Sequence, residues 1–133
     1  AKSGDGGEPL SEPVRVSVLN EPAFSPRKSF FRYWGSAFPQ IAVGADDEVY
    51  VVYAAVPSDK KSDDGDIYLA RSLDGADTWS HPKRLNDDDT DRLQFFPSVA
   101  TDPAGNVHVM WGDMRDDRND VSYHRPPKPR QPK

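Results

Sequence analysis

The sequence predicts an all-β chain made of two four-stranded antiparallel units, and three observations carry that reading. Phe38-Pro39-Gln40-Ile41-Ala42 returns 58 positions later as Phe96-Pro97-Ser98-Val99-Ala100, and Val49, Val51 and Tyr53 then stay in register with Val107, Val109 and Trp111. In Glu48–Ala54 both alternating faces are apolar, the pattern of a strand buried on two sides. No segment sustains an apolar repeat at helical spacing, and 13 Pro with 9 Gly break the chain too often for helices.

Taken in order, the expected strands begin with Val14–Asn20, whose composition resembles the later outer strand Pro82–Asn86. Pro39–Val43, Glu48–Ala54, Asp66–Arg71 and Pro82–Asn86 then form the first complete unit. Pro97–Thr101, Asn106–Gly112 and Asp120–Arg125 form the inner strands of a second, the last aligning with Asp66–Arg71 after a shorter loop. A period of this length built from short strands is the mark of β-propeller blades. No outer strand follows Arg125, while Val14–Asn20 is an outer strand with no inner ones before it. Each is expected to complete the other's blade, within one chain or between copies. The chain thus divides into a flexible segment 1–12, a two-blade unit 13–125 and a Pro-rich basic tail 126–133.

Between the third and fourth strands lies Ser72-Leu73-Asp74-Gly75-Ala76-Asp77-Thr78-Trp79. Asp74-Gly75 suits a tight turn, Ser72 and Thr78 can tie up free backbone N–H groups, and Trp79 offers an apolar face to pin the turn down. This octet resembles the Asp box, the Ser-x-Asp-x-Gly-x-Thr-Trp turn of the sialidase or BNR-repeat propellers. Ser72, Asp74, Thr78 and Trp79 stand on motif positions; Ala76 stands where that family usually has Gly, with Gly75 one position earlier. If the position needs φ > 0, Ala costs about 1 kcal/mol there.

The resemblance implies a six-bladed propeller. Two blades cannot close a ring, and wide apolar blade faces mark interfaces. The expected partner is therefore the chain itself, three copies giving six blades, unless the sequence belongs to a longer propeller.

Composition excludes more than it specifies. With no cysteine there is neither a disulfide frame nor a thiol-based site. A net charge of −5 argues against nucleic acid as a partner, although the tail is locally basic. No apolar run approaches a membrane span. The sequence starts without Met, which fits a mature secreted chain or a trimmed one. The resemblance adds the expectation of a secreted or cell-surface protein.

In a four-stranded meander the Asp box shares a side with the turns Gly44–Asp47 and Asp102–Gly105. The opposite side carries Ala55–Gly65, Asp113–Asn119, Glu21–Ala37 and Asp87–Phe95, the longer loops in which function concentrates. These offer Arg32, Tyr33, Trp34, Arg92, Gln94, Trp111, Asp113, Arg115, Asp116 and Arg118. Sialidases are similar in kind: an arginine cluster holds the sugar carboxylate, an Asp is the acid/base and a Tyr–Glu pair supplies the nucleophile. The planar guanidinium fork suits a carboxylate. On that resemblance Arg32 and Arg92 are candidate carboxylate holders, Tyr33, Trp34 and Arg115 further ligand contacts, and Asp113 the candidate acid/base. Two departures stand against catalysis. Phe31-Arg32-Tyr33-Trp34 lacks the Pro of the family's Phe-Arg-Ile-Pro signature, and no Glu occurs in the Asp113–Asn119 loop or after it.

The expected function is a non-catalytic propeller module that binds glycans or assembles at a surface. The alternative is an exo-sialidase-like glycoside hydrolase, fragmentary or assembled from copies. No cofactor is expected. Asp63, Asp64 and Asp66, and Asp87, Asp89 and Asp91, bunch the oxygen ligands that calcium prefers, but without the twelve-residue spacing of an EF-hand. His81, His108 and His124 have no zinc-ligand spacing.

Overall fold

The computed structural model describes residues 1–20, 37–59 and 63–116. Among them there is no helix, and six strands run as β1 (Gln40–Val43), β2 (Val49–Ala55), β3 (Asp66–Ser72), β4 (Lys83–Arg84), β5 (Gln94–Thr101) and β6 (Val107–Asp113). They form a four-stranded sheet in the order β1-β2-β3-β4 and a two-stranded sheet β5-β6. All pairings are antiparallel between strands adjacent in sequence.

Three expected strands differ and one lies outside the described residues; the strand expected from Pro97 starts at Gln94, with a bulge between Phe95 and Ser98. Val14–Asn20 is not a strand: its one ladder contact is an isolated bridge between Asn20 and Val56. A strand needs a neighbour for its N–H and C=O groups, and this segment lies across the face of the four-stranded sheet. The strand expected over Pro82–Asn86 shrinks to Lys83–Arg84 because the side chain of Asn86 takes over the ladder, its Oδ1 accepting the Ile67 N–H at 3.0 Å. The strand expected at Asp120–Arg125 and the tail 126–133 lie outside the described residues.

β2 is buried along its whole length, as its two apolar faces require. One face gathers Val51, Tyr53 and Ala55 with Ala37; Val16, Leu19, Tyr68 and Trp79 pack against them. Tyr53 and Tyr68 are direct cross-strand partners with rings stacked 6.0 Å apart, and the Tyr53 hydroxyl donates to Ser17 Oγ at 2.8 Å. The other face centres on Val52 and Ile67, both fully buried, and β5 packs across β1, β2 and β3. The first sheet thus lies between residues 14–20 on one side and β5-β6 on the other. Coverage of the Val51 face is incomplete, because Ile41 and Val43, paired with Val51 and Val49, remain 64% and 61% exposed.

The repeat has a backbone signature. Phe38 and Phe96, the residues before the repeated prolines, both have positive φ, 42° and 51°. A bulky side chain rarely adopts that conformation, which costs about 1–3 kcal/mol. The two rings meet edge to face at 4.9 Å, an attraction of about 0.5–1.5 kcal/mol that offsets part of the cost.

A second turn repeats the Asp box. In the octet, Ser72 Oγ donates to Asp74 Oδ1 (2.7 Å) and accepts from the Ala76 N–H (2.9 Å), while Asp74 Oδ1 accepts from the N–H groups of Asp77 (3.1 Å) and Thr78 (2.9 Å). Sixty-nine positions earlier, Ser3 Oγ donates to Asp5 Oδ1 (2.6 Å) and accepts from the Gly7 N–H (2.9 Å), and Asp5 Oδ1 accepts from the Glu8 N–H (3.0 Å). The flanks match too. Ser80 and Ser11 donate their N–H groups to the carbonyls of Arg71 and Lys2, each at 2.8 Å, and accept the N–H groups of those residues on their hydroxyls. Residues 1–12, where the sequence carries no packing signal, therefore hold a built turn.

Candidate functional site

The loops sort onto two ends of the sheet. At one end the Gly75 N–H donates to the Asp47 carbonyl (3.2 Å), and Thr101 Oγ1 donates to the Val43 carbonyl (2.7 Å). The Asp box, the β1–β2 turn and the β5–β6 turn are accordingly neighbours. Lys2 joins them, its Nζ donating to the Gly75 carbonyl (3.1 Å) and to Asp77 Oδ1 (2.6 Å). Trp79 packs against the core cluster and Asp74 closes the turn through Thr78 Oγ1 at 2.5 Å. This end is occupied by turn closure.

The opposite end holds a polar cluster assembled from the ends of β3, β4 and β6 and the β4–β5 loop. Asn86, buried, is its hub. Its Nδ2 donates to Asp66 Oδ1 (2.6 Å) and Asp88 Oδ1 (2.8 Å) and reaches Gln94 Oε1 (3.3 Å). Asp88 also accepts from the N–H and hydroxyl of Thr90. Burial alone would raise the Asp88 pKa, but the hydrogen bonds from Asn86 and Thr90 outweigh it and hold the carboxyl below its ordinary value. Arg84 lies beside Asp66, fully buried, with Nε 3.1 Å from Oδ2, and also donates to the Asp88 carbonyl.

Asp113 and Arg115 form the outer half of the cluster. Arg115 grips one carboxylate oxygen of Asp113 with Nε (2.9 Å) and Nη2 (2.7 Å) and reaches Asp87 with Nη1 (2.6 Å). Asp113 further accepts from the Arg115 N–H (2.9 Å), Gln94 Nε2 (3.4 Å) and Trp111 Nε1 (3.4 Å). Burial pushes the Asp113 pKa up, yet these donors, the Arg115 side chain foremost, bring it down to about 2. A general acid works best with a pKa near the operating pH; Asp113 is an ionised acceptor. Arg115 is raised in turn, first by its hydrogen bond to Asp113 and then by the one to Asp87.

The structure brings together Gln94 of β5, Trp111 and Asp113 of β6 and Arg115 just after it; the first three stand on strands, not in the loops where they are expected. Arg92 stands in the β4–β5 loop with its N–H on Thr90 Oγ1 (3.3 Å). Arg32, Tyr33, Trp34 and Arg118 lie outside the described residues. Among the described residues no three His, Asp or Glu side chains come together to hold a metal. The acidic candidates are engaged singly: Asp63 accepts from the Gly65 N–H, Asp66 meets Arg84 and Asn86, and Asp87 meets Arg115. The sequence reading missed Asn86, Asp88 and Thr90, whose spacing of two along an extended segment aims successive polar groups to one side. A hollow of about 170 Å³ also lies between residues 17–20 and the sheet, bordered by Tyr53, Tyr68, Pro57 and Pro82.

No family model matches the chain, and neither a curated protein nor a solved structure does.

Proposed function

We propose that the chain is a two-blade unit of a sialidase-like propeller, acting as a non-catalytic module that binds glycans or builds an assembly at the cell exterior. The observation that carries the non-catalytic part is the Arg115 fork, taken up by Asp113 and Asp87. A sialidase-type centre needs an arginine open to a sugar carboxylate and an acid that can release a proton near neutral pH. Here the candidate acid is ionised, and Arg84 and Arg115 face four carboxylates, Asp66, Asp87, Asp88 and Asp113. Both guanidinium groups are thus engaged within the protein and not held open to a sugar carboxylate. Support for the propeller part comes from the sheet order, the repeated Phe-Pro backbone and the two matching turns.

A fluorogenic sialoside assay on the chain and on Asp113→Ala, paired with a glycan array, tests the reading. Glycan binding without turnover is expected. Turnover by the unaltered chain that falls in the variant would establish the hydrolase instead.

A further inference from the structure

Resting on the two-blade reading, we propose that a second copy of this chain docks head to tail on the Ile41/Val43 side of β1, through the side of its β5-β6 sheet that carries Ser98, Ala100 and Met110. The template is the interface inside one chain, where β5 lies across the first sheet. The repeat maps Gln40 and Ala42 of β1 onto Ser98 and Ala100 of β5, and Ile41 and Val43 onto Val99 and Thr101. Within the chain, β5-β6 turns Val99, Thr101, Val107 and Val109, all half-buried, toward the first sheet, and turns Ser98, Ala100, His108 and Met110 outward. The outward side is the counterpart of the side of β1 that β5-β6 covers. Met110, on it, is 72% exposed. Ile41 and Val43 are the counterparts of the inward-turned Val99 and Thr101, yet they too are exposed. One repeating interface is filled once within the chain, and its two halves are left open on opposite sides.

The open face of the first sheet continues an interface already made. Val16 and Leu19 pack against the cluster of Ala37, Val51, Tyr53 and Ala55 on that face, and Ile41 and Val43 are its uncovered part. In the register of the turns Lys2 corresponds to Arg71 and Arg15 to Arg84. Residues 2–15 therefore match the closing turn and outer segment of a unit, and in the order β1-β2-β3-β4 the innermost two strands of such a unit are of the β1-β2 type. β5 and β6 of another copy are such a pair. Ile41, Val43, Ser98, Ala100 and Met110 carry no charge; His108, which shares the outward side, has its Nε2 3.1 Å from Asp102 Oδ2. Because the two patches differ, the contact is heterologous and propagates in one direction.

Sedimentation velocity and light scattering on the full chain, Ile41→Glu, Val43→Lys, Ser98→Lys and Met110→Glu test this, with circular dichroism reporting the fold. All four sites are exposed, and two per face are provided so that one folded variant of each suffices. The unaltered chain is expected to be oligomeric and each variant monomeric. An Ile41→Glu and Met110→Glu mixture should form a dimer, since each keeps the patch the other lacks. A monomeric unaltered chain overturns the inference. So does an oligomer that survives both charges, although the two-blade reading then stands and the glycan assays judge it separately.

Discussion

Ala76 and Gly7 occupy the same position in two turns 69 residues apart, each donating its N–H to the serine that opens the turn, and both sit at positive φ (73° and 143°). Glycine adopts that conformation freely, whereas the Cβ of alanine does not. Ala76→Gly should therefore stabilise the chain by about 0.5–1 kcal/mol, read as a rise in the denaturation midpoint without a change in slope. An unchanged or lower midpoint would mean that the turn relaxes around alanine.

Acid should unfold the protein through its turns. Asp74 is held far below its ordinary pKa, first by the Thr78 hydroxyl, then by the Thr78 N–H and Ser72. Asp102 is lowered likewise by the Asn106 side chain, His108 and the Asn106 N–H, and Asp113 sits at about 2. A carboxyl depressed in the folded state contributes stability above its unfolded pKa and loses it as pH falls through the folded value. Melting temperature should hold from pH 6 to about pH 4 and then fall steeply toward pH 2. Asp74→Asn should start lower and fall less over that acid range; an identical slope would remove Asp74 from the account.

The hub of the polar cluster should tolerate little change. Asn86→Ala strips the Ile67 N–H of its acceptor and removes the donor shared by Asp66, Asp88 and Gln94, all buried. A loss of about 2–4 kcal/mol is expected, measurable by urea titration. A loss below 1 kcal/mol would mean that water replaces the amide at no cost.

The features set by local chemistry were legible in the sequence. The two-sided apolar pattern located β2, and Asp-Gly placed the turn that precedes Trp79. The Phe-Pro repeat gave the register of β1 and β5. Val14–Asn20 carries strand composition but no adjacent strand in the described residues, and composition cannot say whether a neighbour exists. The Ser3 turn was present as Ser-x-Asp-Gly-Gly, but it lacks the Thr-Trp that makes the second copy conspicuous. Arg115 illustrates the limit at the site. A guanidinium beside an aspartate in a loop is the same text whether it awaits a ligand or is already spent, and only the 2.6–2.9 Å contacts to Asp87 and Asp113 separate the two.

The strand order has a kinetic meaning. Every strand of the four-stranded sheet pairs with its neighbour in sequence, so each step of assembly closes only the loop between two consecutive strands. Loop-closure entropy is then met in small instalments, and short-range pairing favours fast folding. β1 to β4 can consequently zip up in the order in which they leave the ribosome, before β5 arrives to cover Val52 and Ile67.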